Sequence, residues 1–219
     1  MKYVFSLIIA LFSLTLATHS IEVKRHPTIS QKRLELTRDY AKKHYGINSY
    51  LMHEPKIIVI HYSVLPSLKS VLSLFSQDEI NPQRSRLLSQ GKVNVGVHYV
   101  VDYNGDIYSL LPTSIMGRHT IGFNHTSIGI ENVGTGEDAL TKEQIQANAK
   151  LIHYLTKKHP SITYLIGHME YMNRTYPHFS LFLEKVEDYT PSIKIDPGWG
   201  FLKSLRKTLK DDYKIVLQK

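Results

Sequence analysis

The sequence predicts a single α/β domain built on a mixed β-sheet, and three observations support this fold class. Short apolar runs rich in β-branched residues, at 56–62 and 127–133, have the length and composition of buried strands. A hairpin pattern at 93–112 adds antiparallel pairing, and a helical pattern at 140–160 follows the second run. No internal repeat or low-complexity linker interrupts the 219 residues, a length typical of one domain with a short appendage.

Composition excludes several classes of protein. Hydrophobic residues make up 42% of the chain and charged residues 21%, which excludes intrinsic disorder and fibrous structure. The chain has no cysteine, so disulfides, thiolate zinc sites and cysteine nucleophiles are excluded as well. The formal net charge of +8 favours anionic partners, among them nucleic acid, anionic lipid and an acidic wall polymer, but it does not choose between them.

The first twenty residues have the pattern of a secretory signal peptide. Lys2 precedes an apolar stretch at 4–17, which is short for a membrane span, and small residues follow up to Ser20. We therefore expect cleavage between Ala17 and Ser20 and an exported protein, either periplasmic or secreted. Residues 1–20 hold one lysine and no acid, so their removal leaves a net charge of +7. The alternatives are a buried N-terminal helix and a retained anchor; no other segment is apolar enough to span a bilayer.

The N-terminal half predicts, in order, a helix at 30–45, a strand at 56–62, a helix after Pro66 and a polar loop at 76–92. The first helix has Ser30 as a candidate N-cap and Gly46 beyond its last turn. The strand is a continuous apolar run that ends at His61.

The C-terminal half predicts a hairpin at 93–112, a strand at 127–133, a helix between Thr141 and Pro160, a strand ending at His168, an aromatic segment at 169–193 and a helix after Gly198. In the hairpin, alternate residues of 93–101 are expected on one face, and Asn104-Gly105 forms the turn. In the strand 127–133, Ile128 and Ile130 share one face and Gly129 and Glu131 the other.

Several residues with metal-binding side chains follow these elements. His61 and His168 each come directly after an apolar strand, where ligands collect in α/β sheets. Asp196 precedes a Pro-Gly turn, and Lys194 lies on the same side if the segment is extended. Taken singly, each histidine also fits a hydrogen-bonded residue at the rim of the sheet, and Asp196 fits an ordinary turn opener. Taken together, two imidazoles and one carboxylate form a three-ligand set that leaves zinc an open fourth position.

Glu131 is a candidate for proton transfer. Its strand face also carries Gly129, whose missing side chain allows a neighbouring group to approach. A carboxylate near a metal-activated water can accept its proton and later deliver it to a leaving amine. The alternative is a solvated acid on an ordinary strand.

Five motifs occur in order along the chain: HYS at 61–63, VNVGVHYVVDYNGDIYSLLP, GRHTIGFNHTSIGIENVG, GHMEY and KIDPG. Together they resemble the zinc-dependent N-acetylmuramoyl-L-alanine amidases of the type 2 amidase group, which share their fold with peptidoglycan recognition proteins. The resemblance covers roughly residues 56–205. It implies a central mixed β-sheet flanked by helices, with a zinc groove at one sheet face.

Carried over by position, the resemblance implies that His61, His168 and Asp196 bind one Zn²⁺ ion. It further implies that Glu131 is the general base and acid and that Lys194 stabilises the oxyanion. The step of 28 positions from His168 to Asp196 is longer than in many relatives and marks an insertion.

Four further motif positions are candidates for a groove wall that contacts sugar or peptide: His98, Arg118, His119 and Asn124. For His98, packing near the site is an equally good interpretation. The expected substrate is peptidoglycan or muropeptides, cleaved between the lactyl group of N-acetylmuramic acid and the L-alanine of the stem peptide.

The expected organisation is a signal peptide at 1–20, an N-terminal helical extension at 21–55, an amidase catalytic domain at 56–210 that contains the insertion 169–193, and a C-terminal tail at 211–219. The main alternative function is a non-catalytic peptidoglycan-binding module of the same fold, although such relatives usually lack a zinc ligand. A nucleic-acid partner is not expected, because no basic-aromatic motif of a known module is present. An ordinary zinc peptidase is disfavoured because the chain has no H-E-x-x-H helix.

Overall fold

The computed structural model describes residues 21–219. The predicted signal peptide, 1–20, lies outside the described residues. Between residues 21 and 219, no helix combines the length and the apolar character that crossing a bilayer requires.

The described residues form six strands and five α-helices. The strands are β1 (Lys24–Arg25), β2 (Ile57–Tyr62), β3 (Tyr99–Val101), β4 (Ile107–Ser109), β5 (Ser127–Asn132) and β6 (Tyr164–Gly167). The helices are α1 (Gln31–Tyr45), α2 (Leu68–Phe75), α3 (Ser85–Leu88), α4 (Lys142–Lys158) and α5 (Trp199–Tyr213).

The strands form one mixed sheet in the order β1-β4-β3-β5-β2-β6. The β3–β4 hairpin is antiparallel, and every other neighbouring pair is parallel. β2 lies between β5 and β6, and its residues 57–60 are completely buried. This burial on both faces explains why β2 is a continuous apolar run rather than an alternating one.

The two faces of the sheet have different cover. Ile58 of β2 and Ile130 of β5 belong to a cluster that includes the apolar stripes of α4 and α5. On the other face, Val59 packs with the loop before β5 and with the segment 169–193, while α2 packs on Val100 of β3. His61 and Glu131 lie on this second face, because they continue the alternation of Val59 and its partner in β5.

The helices begin and end where the sequence signals predict. The Ser30 side chain accepts a hydrogen bond from the N–H of Arg33, and Gly46 ends α1 in the left-handed conformation with φ of 72°. Thr141 and Gln144 form a capping box at the start of α4.

The prediction that alternate residues of 93–101 share one face is wrong. β3 begins only at Tyr99, and Val97 packs beside α2 whereas Tyr99 packs in the cluster of α4. Before β3 the backbone N–H groups of Asn94 and Gly96 donate to loop carbonyl groups, so this part of the chain does not follow a strand ladder.

Three local features differ from the sequence expectation. The polar segment 76–92 contains the one-turn helix α3. The short β1 pairs with β4, and it is too short to leave a periodic signal. Helix α5 runs to Tyr213, beyond the expected domain limit at 210, and Gln218 of the tail pairs with Tyr164 of β6.

A buried ion pair fixes the turn that follows β6. The Glu170 carboxylate is fully buried and accepts hydrogen bonds from the Gly167 N–H at 3.0 Å and from Arg206 of α5 at 2.7 Å. Because His168 lies between Gly167 and Glu170, this pair also sets the position of His168.

We expect Arg206→Met to lower the free energy of unfolding by roughly 3 kcal/mol or more, because it leaves the Glu170 carboxylate buried and without its cationic partner. Urea unfolding at pH 7 measures this loss. Lys207→Met is the matched control, since the neighbouring Lys207–Asp211 pair is exposed and should contribute little. Equal losses in the two variants would contradict the role given to the buried pair.

Candidate metal centre

Parallel strands bring the candidate residues to one edge of the sheet. His61 near the end of β2 is the direct ladder partner of Glu131 in β5, so the two side chains lie on the same face. His168 follows β6, which pairs with the other side of β2. The carboxyl ends of these three strands therefore meet, as expected from the sequence.

Asp196 reaches the same edge through contacts formed far along the chain. Its backbone carbonyl accepts a hydrogen bond of 2.8 Å from the N–H of Met169. Helix α5 starts three residues later, and Glu137 accepts a hydrogen bond from the Phe201 N–H at its N-terminus. A side chain on Gly198 would overlap the Glu137 carboxylate, so the glycine makes this contact possible.

Three potential ligand atoms converge at this edge. His61 Nδ1 lies 3.1 Å from His168 Nδ1 and 3.3 Å from Asp196 Oδ2, and the last two atoms are 3.1 Å apart. Ligands at 2.0–2.1 Å from zinc in a tetrahedral arrangement are separated by roughly 3.3–3.4 Å. The three atoms therefore have nearly the mutual spacing of a tetrahedral zinc site, and the donor set of two imidazoles and one carboxylate fits this metal.

The electrostatics favour the protonation states that bind a cation. Burial is the main cause that lowers the pKa of His168 to about 4, and the neighbouring His61 adds to this shift. This imidazole is therefore neutral at neutral pH. Burial opposes ionisation of Asp196, but the contacts with the His168 and His61 imidazoles outweigh it and lower the pKa of this carboxyl group. Neutral imidazoles and an ionised carboxylate are the forms that coordinate metals.

Glu131 is placed for proton transfer. Its side chain is buried, with 9% of the residue exposed, and no hydrogen bond within residues 21–219 holds its carboxyl group. Burial raises the pKa of Glu131 to about 7; His61 opposes this shift, and the negative charge of Asp196 adds to it. A pKa near the working pH is suited to a group that both accepts and delivers a proton.

The three ligand residues, Glu131 and Lys194 all line one cavity of about 450 Å³. Sequence reasoning missed other members of its lining, among them Tyr40 of α1, Arg84 at the start of α3, Arg86 within α3, and Tyr189 and Ser192 of the segment 169–193. These residues come from segments whose path depends on tertiary packing, and no periodicity or motif in the sequence identifies them.

Two of the four predicted groove residues, Arg118 and Asn124, line the cavity and hydrogen-bond to neighbouring protein groups. The Arg118 guanidinium donates to the backbone carbonyls of Leu87 and Val93, at 2.7 and 2.8 Å. The Asn124 side-chain oxygen accepts from the N–H of His119 at 2.8 Å, and its amide donates to Tyr45. These polar groups therefore already have hydrogen-bond partners within the protein.

His98 lies outside the cavity lining. It is completely buried, its Nε2 donates to the carbonyl of Ile115 at 2.9 Å, and its Nδ1 accepts from the N–H of Gly129 at 3.0 Å. Burial lowers the pKa of His98 to about 4. Of the two interpretations that the sequence left open, the structure agrees with packing near the site.

His119 contacts the candidate metal centre directly. Its Nδ1 lies 3.2 Å from His61 Nε2, and burial followed by the proximity of His61 lowers its pKa. The ring occupies the space where a side chain on Gly129 would lie, since a Cβ atom there would be 2.8 Å from His119 Cγ. This confirms the expectation that a neighbouring group approaches Gly129.

Comparison with known proteins identifies relatives of the chain. The family described as N-acetylmuramoyl-L-alanine amidase matches residues 51–198. The endolysin of Escherichia phage T7 is 30% identical and the endolysin of Enterobacteria phage K11 is 26% identical, each over 98 residues. Each match includes 42% of this chain and 64% of the relative, so the chain spans less than two thirds of the length of these relatives.

Among solved structures, a selenomethionine derivative of AmpD is similar with a TM-score of 0.50 and 21% sequence identity. The similarity covers 84% of this chain and 94% of that one. It confirms the predicted fold, a central mixed sheet with helices on both sides.

The raised pKa of Glu131 predicts a pH-dependent stability in the metal-free protein. The folded state holds the Glu131 proton up to about pH 7, while the unfolded chain releases it near 4.5, so wild-type stability falls as the pH rises through this window. We expect Glu131→Gln, measured in a chelator, to have a free energy of unfolding equal to or below that of the wild type at pH 4. Between pH 4 and pH 8 the free energy of unfolding of the variant should rise by about 3 kcal/mol relative to the wild type. Urea unfolding of both proteins across this range measures the difference, and a difference that does not change with pH would contradict the shift.

Proposed function

The chain belongs to the N-acetylmuramoyl-L-alanine amidase family, and from that premise we propose that it hydrolyses the amide bond between the lactyl group of N-acetylmuramic acid and the L-alanine of the peptidoglycan stem peptide. One observation carries the proposal. Three ligand atoms with the spacing of a zinc site face a cavity that is also lined by a free carboxyl group and a lysine.

We infer that His61, His168 and Asp196 hold one Zn²⁺ ion. When bound, zinc polarises the amide carbonyl and lowers the pKa of the attacking water. We assign the catalytic unit to residues 56–210, with 21–55 as an N-terminal extension and 211–219 as a tail.

In this proposal Glu131 moves the proton. Its carboxylate accepts a proton as the water oxygen adds to the carbonyl carbon, and the protonated carboxyl then delivers it to the L-alanine nitrogen as the C–N bond breaks. The products are the lactyl carboxylate on the sugar and a free stem peptide. The absence of a competing hydrogen bond from residues 21–219 to this carboxyl leaves it available for both steps.

Lys194 supplies positive charge at the cavity. Its ammonium group would stabilise the negative charge that develops on the carbonyl oxygen, an effect worth roughly 3–4 kcal/mol per donor in comparable sites. We propose that Arg118 and Asn124 form the supporting wall of the substrate groove, with peptidoglycan or soluble muropeptides as substrate. Export to the periplasm or the medium would bring the chain to this substrate.

Digestion of purified peptidoglycan tests the activity. We expect the zinc-loaded protein to release free stem peptides whose N-terminus is L-alanine, and the same protein in a chelator to release none, with activity restored by added zinc. Mass spectrometry of the soluble products distinguishes this cleavage from hydrolysis between sugars or within the peptide. Binding to the wall without release of peptide would refute the proposal and favour a non-catalytic binding module.

Two substitutions separate the roles of the residues. Glu131→Gln should keep one zinc per chain but lose about 10²–10⁴-fold in kcat, because only the proton-transfer group is removed. Asp196→Ala should lose the zinc as well as the activity, because only two ligands remain. Metal content by atomic absorption and turnover of muropeptides measure both effects.

Glu143→Gln is the matched control for the first substitution, since Glu143 is exposed on α4 at the far face of the sheet. It should retain both zinc and turnover. Full activity of Glu131→Gln would remove Glu131 from the mechanism, and full zinc content of Asp196→Ala would remove Asp196 from the metal site.

A further inference from the structure

We propose that His119 is a positioning residue that holds His61 in the tautomer required to bind a metal through Nδ1. The inference rests on the proposed function, because it concerns the same site. It gives His119 a role that differs from contact with sugar or peptide.

The position of the His119 ring is tightly fixed. The ring lies over Gly129 of β5, and a Cβ atom on Gly117 would be 3.2 Å from His119 Cδ2. The backbone N–H groups of His119 and Thr120 both donate to the Asn124 side-chain oxygen, at 2.8 and 2.7 Å. Two glycines and an anchored loop therefore hold the imidazole against the candidate metal centre.

The surroundings of the ring determine which nitrogen carries the proton. His119 Nε2 lies 3.3 Å from the carbonyl oxygen of Ser127, which can only accept, and 3.4 Å from the Ser127 hydroxyl, which can also accept, so we assign the hydrogen to Nε2. In a neutral imidazole the other nitrogen, Nδ1, is then an acceptor. This atom faces His61 Nε2 at a distance of 3.2 Å.

The consequence for His61 follows directly. Because His119 Nδ1 accepts, His61 Nε2 must be the donor, and the lone pair of neutral His61 lies on Nδ1. That atom is the one that lies 3.1 Å from His168 Nδ1 and 3.3 Å from Asp196 Oδ2. The opposite tautomer would direct an N–H group at the position of the cation.

A second donor also lies near His119. The Thr120 hydroxyl oxygen is 2.9 Å from His119 Nδ1 and can share its lone pair. Removal of this hydroxyl leaves the contact between His119 and His61 in place. Thr120 therefore provides a control that separates the two hydrogen bonds.

The test compares two substitutions of similar size at position 119. His119→Leu removes the acceptor, whereas the side-chain oxygen of His119→Asn can replace Nδ1. We expect His119→Leu to weaken zinc affinity by about 10- to 100-fold, the usual effect of losing such a partner, and His119→Asn and Thr120→Val to stay within a few-fold of the wild type. Competition with a chromophoric chelator measures affinity without any assay of activity, and unfolding in excess chelator checks that each variant folds.

A spectroscopic readout tests the tautomer itself. In zinc-loaded protein labelled with ¹⁵N, the His61 ring should show a protonated Nε2 and a metal-bound Nδ1, and this signature should weaken or broaden in His119→Leu. Unchanged affinity in His119→Leu, or equal loss in the Leu and Asn variants, would overturn this inference and leave the proposed function intact. Failure of the wild-type chain to bind zinc would overturn both.

Discussion

Parallel pairing of β2 with β5 sets His61 and Glu131 side by side, since their Cα atoms are direct partners in the ladder. A shift of the register by one residue would turn one of the two side chains toward the opposite face, where α4 and α5 pack. The alternation of β5 prevents such a shift, because Ile128 and Ile130 would leave the core that α4 and α5 cover and Gly129 and Glu131 would enter it. The chemistry of the site thus depends on the hydrophobic packing of the strands that carry it.

The same packing removes the side chains of the site from water, and this burial shifts their pKa values. Burial lowers the pKa of His168 to about 4 and raises that of Glu131 to about 7, so both groups are driven toward their neutral forms. The adjacent His168 and His61 imidazoles keep the pKa of Asp196 low, so this carboxyl group stays ionised. A neutral imidazole at His168, an ionised Asp196 and a Glu131 carboxyl group close to its midpoint suit a metal-assisted hydrolysis. The packing of the strands therefore influences the charge states of His168, Asp196 and Glu131.

The parts of the site that follow from local patterns could be predicted from the sequence. The ends of apolar runs predict His61 and His168 as candidate ligands, and alternation with Ile128 and Ile130 places Glu131 on the same face as Gly129. No local pattern predicts that Asp196, 28 positions after His168, lies beside it. This placement depends on the hydrogen bond from the Met169 N–H to the Asp196 carbonyl. The Pro-Gly turn marks Asp196 as a candidate and the family resemblance assigns it as a ligand, whereas Tyr189 belongs to no motif and is not predicted. The prediction that alternate residues of 93–101 share one face is wrong because a periodic sequence shows which residues prefer burial. It does not show which groups the backbone hydrogen-bonds to.

The N-terminal helix and the insertion, which the sequence treats as two separate additions, support each other in the structure. His44 of α1 is completely buried, and its ring nitrogens contact the Glu184 carboxylate at 2.8 Å and the carbonyl of Gln90 at 2.6 Å. Its backbone carbonyl accepts the N–H of Lys185, and its ring packs on Tyr189, which lines the cavity. One histidine thus joins α1, the segment 76–92 and the insertion 169–193, each of which contributes residues to the cavity lining. The carboxyl ends of β2, β5 and β6 hold the candidate ligands and Glu131, while part of the cavity wall that faces them is built from segments outside the five motifs.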